Sequence, residues 1–173
     1  MTELVFKQIA AVACGQTCEE FTAQNPHPFV VAETAGTRGG LTFETTNDVN
    51  DVHKLVAAAT ARPVYPVKKS GRNKFGNVIT LGRAANNDVI VSEPSVSKFH
   101  AYFNERLDSG GFELVDAGST FGTKVKEFRL EPDQPHPLRS GDKITLGEAV
   151  LLTFYLPADL HSQLCRSRSL LGL

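Results

Sequence analysis

The spacing of apolar residues changes along the chain, from helical in the N-terminal third to strand-like afterwards. In residues 1–24 the apolar positions recur at helical intervals, which predicts a helix. Residues 28–46 hold two short apolar runs around a Gly-rich turn and predict a hairpin. Residues 49–61 return to helical spacing, so we expect a second helix there with Asn47 or Asp48 as its N-cap.

From residue 62 onward, short β-branched and apolar runs alternate with clusters of Gly, Pro, Asn and Asp. The runs that we interpret as strands are residues 64–67, 78–81, 88–91, 100–103, 112–115, 123–126, 143–146 and 150–156. Short strands at regular intervals with turn signals between them predict a β-sandwich or barrel rather than a βαβ fold. Pro157 ends this region, and residues 158–170, with Leu160 and Leu164 on one side, predict a short C-terminal helix.

Composition and charge narrow the classes of function. With 173 residues and 41% hydrophobic residues, the chain is long enough to bury a core without disulfides or metal. The balance of 18 basic and 19 acidic residues argues against a nucleic-acid binder. Three cysteines without metal-ligand spacing fit a reduced, cytoplasmic chain. Because no apolar run approaches the roughly 18 residues needed to cross a bilayer, we expect no membrane anchor.

The polar and glycine residues between the predicted strands form an ordered set of five blocks. They are Gly82-Arg83, Asn87-Asp88-Val89, Ser97-Lys98-Phe99-His100, the loop from Asp116 to Thr123, and Gly141-Asp142 followed by Leu146-Gly147. With these blocks in this order, residues 62–157 closely resemble the forkhead-associated (FHA) domain. The resemblance implies a mainly β fold, a sandwich of about 11 strands whose loops at one end bind phosphothreonine peptides. Residues 1–61 would then be an N-terminal α/β extension and residues 158–173 a short C-terminal helix and tail.

The resemblance places the phosphopeptide-binding groups on five residues. A phosphothreonine carries about −1.5 to −2 charges and three acceptor oxygens, so its site needs cations and hydrogen-bond donors. Arg83 and Ser97 match the family's phosphate-binding arginine and serine, Lys98 can add a second cation, and Thr120 matches a residue of the phosphate pocket. Phe121 stands where the family usually has an asparagine that bonds the peptide backbone. An aromatic ring lacks those amide groups, so peptide affinity and register cannot be inherited from the family.

Other motif residues are expected to shape the binding loops rather than to contact the peptide. They are Gly82, His100, Asp116, Ser119, Gly122 and Thr123. Ser97, His100 and Asp116 are also the residue types of a hydrolase triad. The sequence contains no G-x-S-x-G elbow and nothing that nominates an oxyanion hole, so a hydrolase is the least favoured interpretation.

We therefore expect a non-enzymatic module, typical of bacterial kinase signalling, whose partner is a threonine-phosphorylated protein: a Ser/Thr kinase or its substrate. No cofactor, metal, nucleic acid or membrane partner is expected. The main alternative is a phospho-independent scaffold that binds through its sheet or its N-terminal extension, and Phe121 favours it. A basic run of Lys68, Lys69, Arg72 and Lys74 is interpreted as a solvated hairpin loop or as a flank of the phosphate site.

Overall fold

The computed structural model describes residues 5–33, 61–106 and 110–168. Its helices are α1 (Phe6–Ala13), α2 (Cys18–Gln24) and α3 (Pro157–Arg166). Its strands are β1 (Phe29–Ala32), β2 (Val64–Pro66), β3 (Ile79–Gly82), β4 (Val89–Ile90), β5 (Ala101–Arg106), β6 (Gly111–Asp116), β7 (Thr123–Val125), β8 (Phe128–Arg129), β9 (His136–Leu138), β10 (Lys143–Leu146) and β11 (Val150–Tyr155).

The strands form two sheets that pack face to face as a sandwich. The first sheet has six strands in the order β2-β1-β11-β10-β7-β8, and the second has five in the order β4-β3-β5-β6-β9. Alternation places one face of each strand in the space between the sheets: on β10, Ile144 and Leu146 are buried, whereas Lys143 is exposed. Phe103 and Phe154 stack across this space with ring centroids 6.4 Å apart. The prediction of a mainly β sandwich is confirmed.

A second apolar core lies on the outer face of the six-stranded sheet, beneath the three helices. Its buried members are Phe6, Ala10, Ala13, Phe21, Phe29, Val31, Val64, Leu160 and Leu164. Phe29 and Val31 point to this core, while Val30 between them points into the sandwich. Strand β1 therefore lies between two apolar layers, which explains why all four of its residues are buried. We call the helices and the sheet face beneath them the helical layer.

The N-terminal segment differs from its predicted structure in two ways. The single helix expected over residues 1–24 is two helices, because Thr17 starts α2 with a capping box: its hydroxyl accepts from Glu20 N–H, and the Glu20 carboxylate accepts from Thr17 N–H. Strand β1 pairs with β2 and β11, both antiparallel. The second strand of the predicted hairpin, and the helix predicted over residues 49–61, lie outside the described residues.

Two strands are absent from the sequence prediction. β8 and β9 contain only two and three residues, and neither shows the apolar alternation that identifies a longer strand. The boundary that we place at residue 61 stays a prediction. Strand β1, from the segment before it, is nevertheless an interior strand of the sandwich.

Candidate functional site

Three loops meet at one end of the sandwich because of the register of three neighbouring strands. Ala101, the first residue of β5, pairs with Asp116, the last residue of β6, and with Leu81 near the end of β3. The loop after β3, the loop before β5 and the loop after β6 consequently lie side by side. These loops carry all five residues that the sequence analysis assigns to peptide binding.

Ser97 and Thr120 join two of these loops through their hydroxyl groups. The Ser97 Oγ accepts a hydrogen bond from Thr120 N–H at 3.0 Å and lies 3.3 Å from the Thr120 Oγ1. Thr120 is exposed and Ser97 is half-buried, although 23 residues separate them in sequence. The structure thus brings together two hydroxyls that a phosphate group could reach from solvent.

Arg83 and Lys98 place positive charge beside this hydroxyl pair. Arg83 N–H donates to Ser97 O at 2.9 Å, and its Nε donates to Val96 O at 3.1 Å, which orients the guanidinium of this exposed residue. Lys98 follows Ser97 directly and is also exposed. Within the described part of the chain neither cation has an acidic partner, so both charges remain available to an anion.

His100 is fully buried and fastens the loop before β5 to the loop after β6. Its Nδ1 accepts from Ser97 N–H at 3.0 Å, so the proton of the neutral ring resides on Nε2, which lies 3.3 Å from Gly122 O and donates to it. Burial lowers the pKa of His100 and so favours the neutral ring, although the negative charge of Asp116 acts in the opposite direction. Ser97 Oγ bonds to Thr120 and not to the imidazole, so the serine–base contact of a hydrolase is not formed.

The Asp116 carboxylate holds the loop after β6 in its conformation through hydrogen bonds. It accepts from the Ser119 N–H at 2.8 Å and the Ser119 hydroxyl at 2.6 Å, and from the Thr123 hydroxyl. Burial alone would raise the pKa of Asp116, but these hydrogen bonds outweigh it and hold the pKa below its ordinary value. Gly122 has a φ of 83°, a backbone conformation that other residues resist, so the turn after Phe121 depends on glycine.

Gly82 and Asn87 position the Lys98 backbone. A Cβ at residue 82 would lie 2.5 Å from Lys98 O, so only glycine permits this close approach. Asn87 is nearly buried, and its side-chain amide donates to Ala84 O at 2.9 Å and Lys98 O at 2.6 Å. Asn87 lies in a motif block but not among our predicted site residues. Its place in the same loop as Arg83 is the sequence signal that could have identified it as a loop support.

In the basic run before β3, Lys69 is exposed and Arg72 half-buried, and both are held to the domain by hydrogen bonds. The Asp88 carboxylate is buried and accepts from Lys69 Nζ at 2.9 Å, Ser70 N–H at 2.8 Å and Thr80 N–H at 2.9 Å. Burial opposes ionisation of Asp88, but hydrogen bonds led by Asn73 lower its pKa far below the ordinary value. Arg72 donates to the backbone of Asn87 and Asp88. The charge of Lys69 is therefore paired with that of Asp88, unlike the charges of Arg83 and Lys98.

Phe121 projects from the loop after β6 with its side chain 45% exposed. The structure therefore places an aromatic surface at the position where the family usually presents an amide.

Among the described residues, no cluster of His, Cys, Asp and Glu is arranged to hold a metal ion. Over the same residues, none of the helices combines the length and the apolarity that crossing a membrane requires.

The loops at one end of the β-sandwich thus bring together two cations and two hydroxyl groups, the kinds of group that a phosphate ligand requires. The family model for the FHA domain matches residues 79–147, which include all three loops. This match assigns residues 79–147 to the FHA domain, as the motifs in the sequence predicted.

Similar proteins agree with this assignment. The oxoglutarate dehydrogenase inhibitor of Corynebacterium glutamicum is 36% identical over 80 residues, which is 46% of this chain and 52% of that protein. The glycogen accumulation regulator GarA of Mycolicibacterium smegmatis is 37% identical over 69 residues, 40% of each chain. The chain thus spans about half the length, or less, of these relatives. An engineered FHA with Myc-pTBD peptide has the same fold, with a TM-score of 0.51 at 19% identity, covering 80% of this chain and 97% of that one.

Proposed function

We propose that this chain is a non-catalytic recognition module that binds threonine-phosphorylated proteins in kinase-linked signalling. The observation that carries the proposal is the Ser97–Thr120 hydroxyl pair, flanked by the cations Arg83 and Lys98, which have no acidic partner among the described residues. FHA domains bind phosphothreonine peptides. The names of the two relatives describe an inhibitor and a regulator rather than catalysts, which supports a regulatory function here.

In this proposal each group of the site has a distinct part in phosphate binding. Arg83 is exposed, and the two terminal nitrogens of its guanidinium form a planar fork that matches two phosphate oxygens. The Ser97 and Thr120 hydroxyls donate to the remaining oxygens, and Lys98 adds a flexible point charge. His100, Asp116, Asn87 and Gly82 do not touch the phosphate; they hold the loops in position. Because these supports are buried and hydrogen-bonded, little reorganisation is required on binding.

Titration of a degenerate phosphothreonine peptide library and its unphosphorylated counterpart tests this proposal. We expect binding only to the phosphorylated library. Arg83→Ala should weaken it by about tenfold to a hundredfold, because a hydrogen-bonded cation is removed from the phosphate. Arg139→Ala, an exposed arginine at the opposite end of the sandwich, is the matched control and should bind like the wild type. Equal binding of both libraries, or full binding by Arg83→Ala, would refute the proposal.

A phospho-independent scaffold remains the second candidate because of one further observation. Phe75, Phe99 and Tyr102 stack in series on the surface, with centroids 5.5 Å and 6.2 Å apart, and Phe75 is 51% exposed. Such aromatic surfaces are typical of protein interfaces. This alternative predicts that a partner binds with or without phosphate, and that Phe75→Ala weakens binding more than Arg83→Ala does.

A further inference from the structure

Two cations face each other on the outer side of strands β7 and β8. Lys124 and Arg129 are directly opposite in the antiparallel register, so their side chains leave the sheet on the same face. Both are exposed. Like charges in directly opposite positions destabilise a strand pair. A bound anion would relieve this repulsion.

The chain supplies no such anion within the described residues. Lys124 and Arg129 have no hydrogen-bond or ion-pair partner there, whereas other lysines of the same region do. Lys126 pairs with Asp142 at 2.7 Å, and Lys143 pairs with Glu33. Neighbouring lysines thus have acidic partners, whereas this pair has none among the described residues.

The pair is continuous with the candidate phosphate site through Gly122. The Arg129 guanidinium lies directly over Gly122: a Cβ at residue 122 would be 2.5 Å from its Nη2 and 2.7 Å from its Cζ. Gly122 O in turn bonds to His100, and Gly122 is two residues from Thr120. The cation therefore adjoins the loop that carries the phosphate-binding hydroxyl and the exposed ring of Phe121.

We infer that Lys124 and Arg129 form a second anion subsite, which binds an acidic side chain close to the phosphothreonine in the partner. The inference rests on the proposed function. Arg129 offers a planar fork suited to a carboxylate or phosphate, and Lys124 adds a point charge on the same face. A second anchor would fix the peptide register where Phe121 cannot supply the usual amide contacts. The subsite thus determines sequence preference, while Arg83 determines phosphate dependence.

Phosphopeptide selection on the full chain tests the subsite. The probes are phosphothreonine libraries in which one flanking position at a time is fixed as Asp, phosphoserine or Asn. At one or more positions the wild type should prefer either anion to Asn by roughly threefold to tenfold at low salt. Lys124→Gln/Arg129→Gln should abolish that preference, yet bind the Asn libraries as the wild type does. Arg139→Gln is the control, because Arg139 is an exposed arginine at the opposite end of the sandwich, and this variant should keep the preference.

The possible outcomes separate this inference from the function on which it rests. Preference for phosphoserine over Asp would identify a second phosphate as the ligand, and equal preference would identify any anionic side chain; both support the subsite. Phosphate-dependent binding without an acidic preference, or with one that survives the double variant, overturns the subsite alone. Loss of binding to the Asn libraries in the double variant, with the fold retained by circular dichroism, also overturns it, since the pair would then be needed for phosphate itself. Binding without phosphate dependence in the wild type overturns the proposed function and the subsite together.

Discussion

The phosphate-binding end and the helical layer of this molecule are built from opposite kinds of contact. At the binding end the buried groups are polar: His100, Asp116 and Asn87 are each hydrogen-bonded to the loops that they support. In the helical layer the buried groups are apolar, as with Phe21 and Leu160. Directional hydrogen bonds fix the positions of loops, whereas non-directional burial contributes mainly to stability. The comparison therefore separates residues that arrange the site from residues that stabilise the fold.

The helical layer and the binding loops are attached to different strands of the sandwich. The helices cover β1, β2 and β11, whereas the three binding loops belong to the other sheet and to its connection into β7. A change in the helical layer should alter the free energy of unfolding and leave the binding loops in place. A change in the loop supports should displace the binding loops and lower phosphopeptide affinity, with a smaller loss of stability than a change in the helical layer. Mutations that preserve the surface of the protein can test this division.

The largest expected effect is that of Phe21→Ala in the helical layer. Phe21 is nearly fully buried, with its ring centroid 6.4 Å from that of Phe29 and 5.4 Å from that of His161. Truncation of such a ring lowers the free energy of unfolding by about 3–5 kcal/mol, because it removes apolar burial and leaves a cavity. Urea denaturation followed by circular dichroism measures the loss. Below the transition, the affinity for a phosphothreonine peptide should not change.

Phe128→Ala is the control for that experiment, since the Phe128 side chain is 68% exposed and its truncation opens no cavity. Its free energy of unfolding should lie close to that of the wild type. If Phe21→Ala weakened peptide binding while the protein remained folded, the helical layer would be part of the site and the division between the two regions would fail.

A smaller effect on stability, but a larger one on binding, is expected for Asp116→Asn. The amide retains one acceptor oxygen and presents an NH₂ group to the hydroxyls of Ser119 and Thr123, so the charge-assisted bonds of this loop are weakened. The free energy of unfolding should fall by about 1.5–3 kcal/mol. Displacement of Thr120 should lower phosphopeptide affinity in a titration carried out well below the unfolding transition.

Asp133→Asn is the control for the loss of one negative charge. Asp133 is exposed and has a φ of 60°, a conformation that asparagine tolerates equally well. Both its stability and its peptide affinity should match those of the wild type. Unchanged peptide affinity in Asp116→Asn would show that the carboxylate does not position the loop.

The binding end could be predicted from the sequence to a far greater extent than the helical layer. Its glycines and polar residues are required by local geometry, as at Gly122 with its positive φ and Gly82 with its close backbone approach, and they therefore leave a readable pattern. The contact between Ser97 and Thr120 follows from strand register once the motifs are placed on β5 and β6. By contrast, the Lys124–Arg129 pair depends on the two-residue strand β8, which has no periodicity of its own.

The helical layer was only partly predictable because apolar spacing shows that a face is buried but not what covers it. The pattern at Leu160 and Leu164 predicted a helix correctly, yet their burial against α1 and α2 brings together the two ends of the chain. The break between α1 and α2 had a local signal in Thr17 and Glu20, whose spacing is that of a capping box. The Phe29 strand was correctly located, but its partners β2 and β11 are non-local, and no periodicity specifies them.

The smallest expected effect tests that capping box directly. Thr17→Ala removes the hydroxyl that accepts from Glu20 N–H at 3.2 Å, and it leaves the first turn of α2 with an unsatisfied donor. The free energy of unfolding should fall by about 1 kcal/mol.

Thr22→Ala is the matched control, because the Thr22 hydroxyl only donates back to Cys18 O and Glu19 O within α2 and alanine favours the helix. Thr22→Ala should therefore be neutral or slightly stabilising, and neither variant should change phosphopeptide affinity. An equal loss of stability in both would show that side-chain truncation, and not the cap, is responsible. A loss of affinity in Thr17→Ala would show that the ordering of α2 extends to the binding loops at the far side of the sandwich.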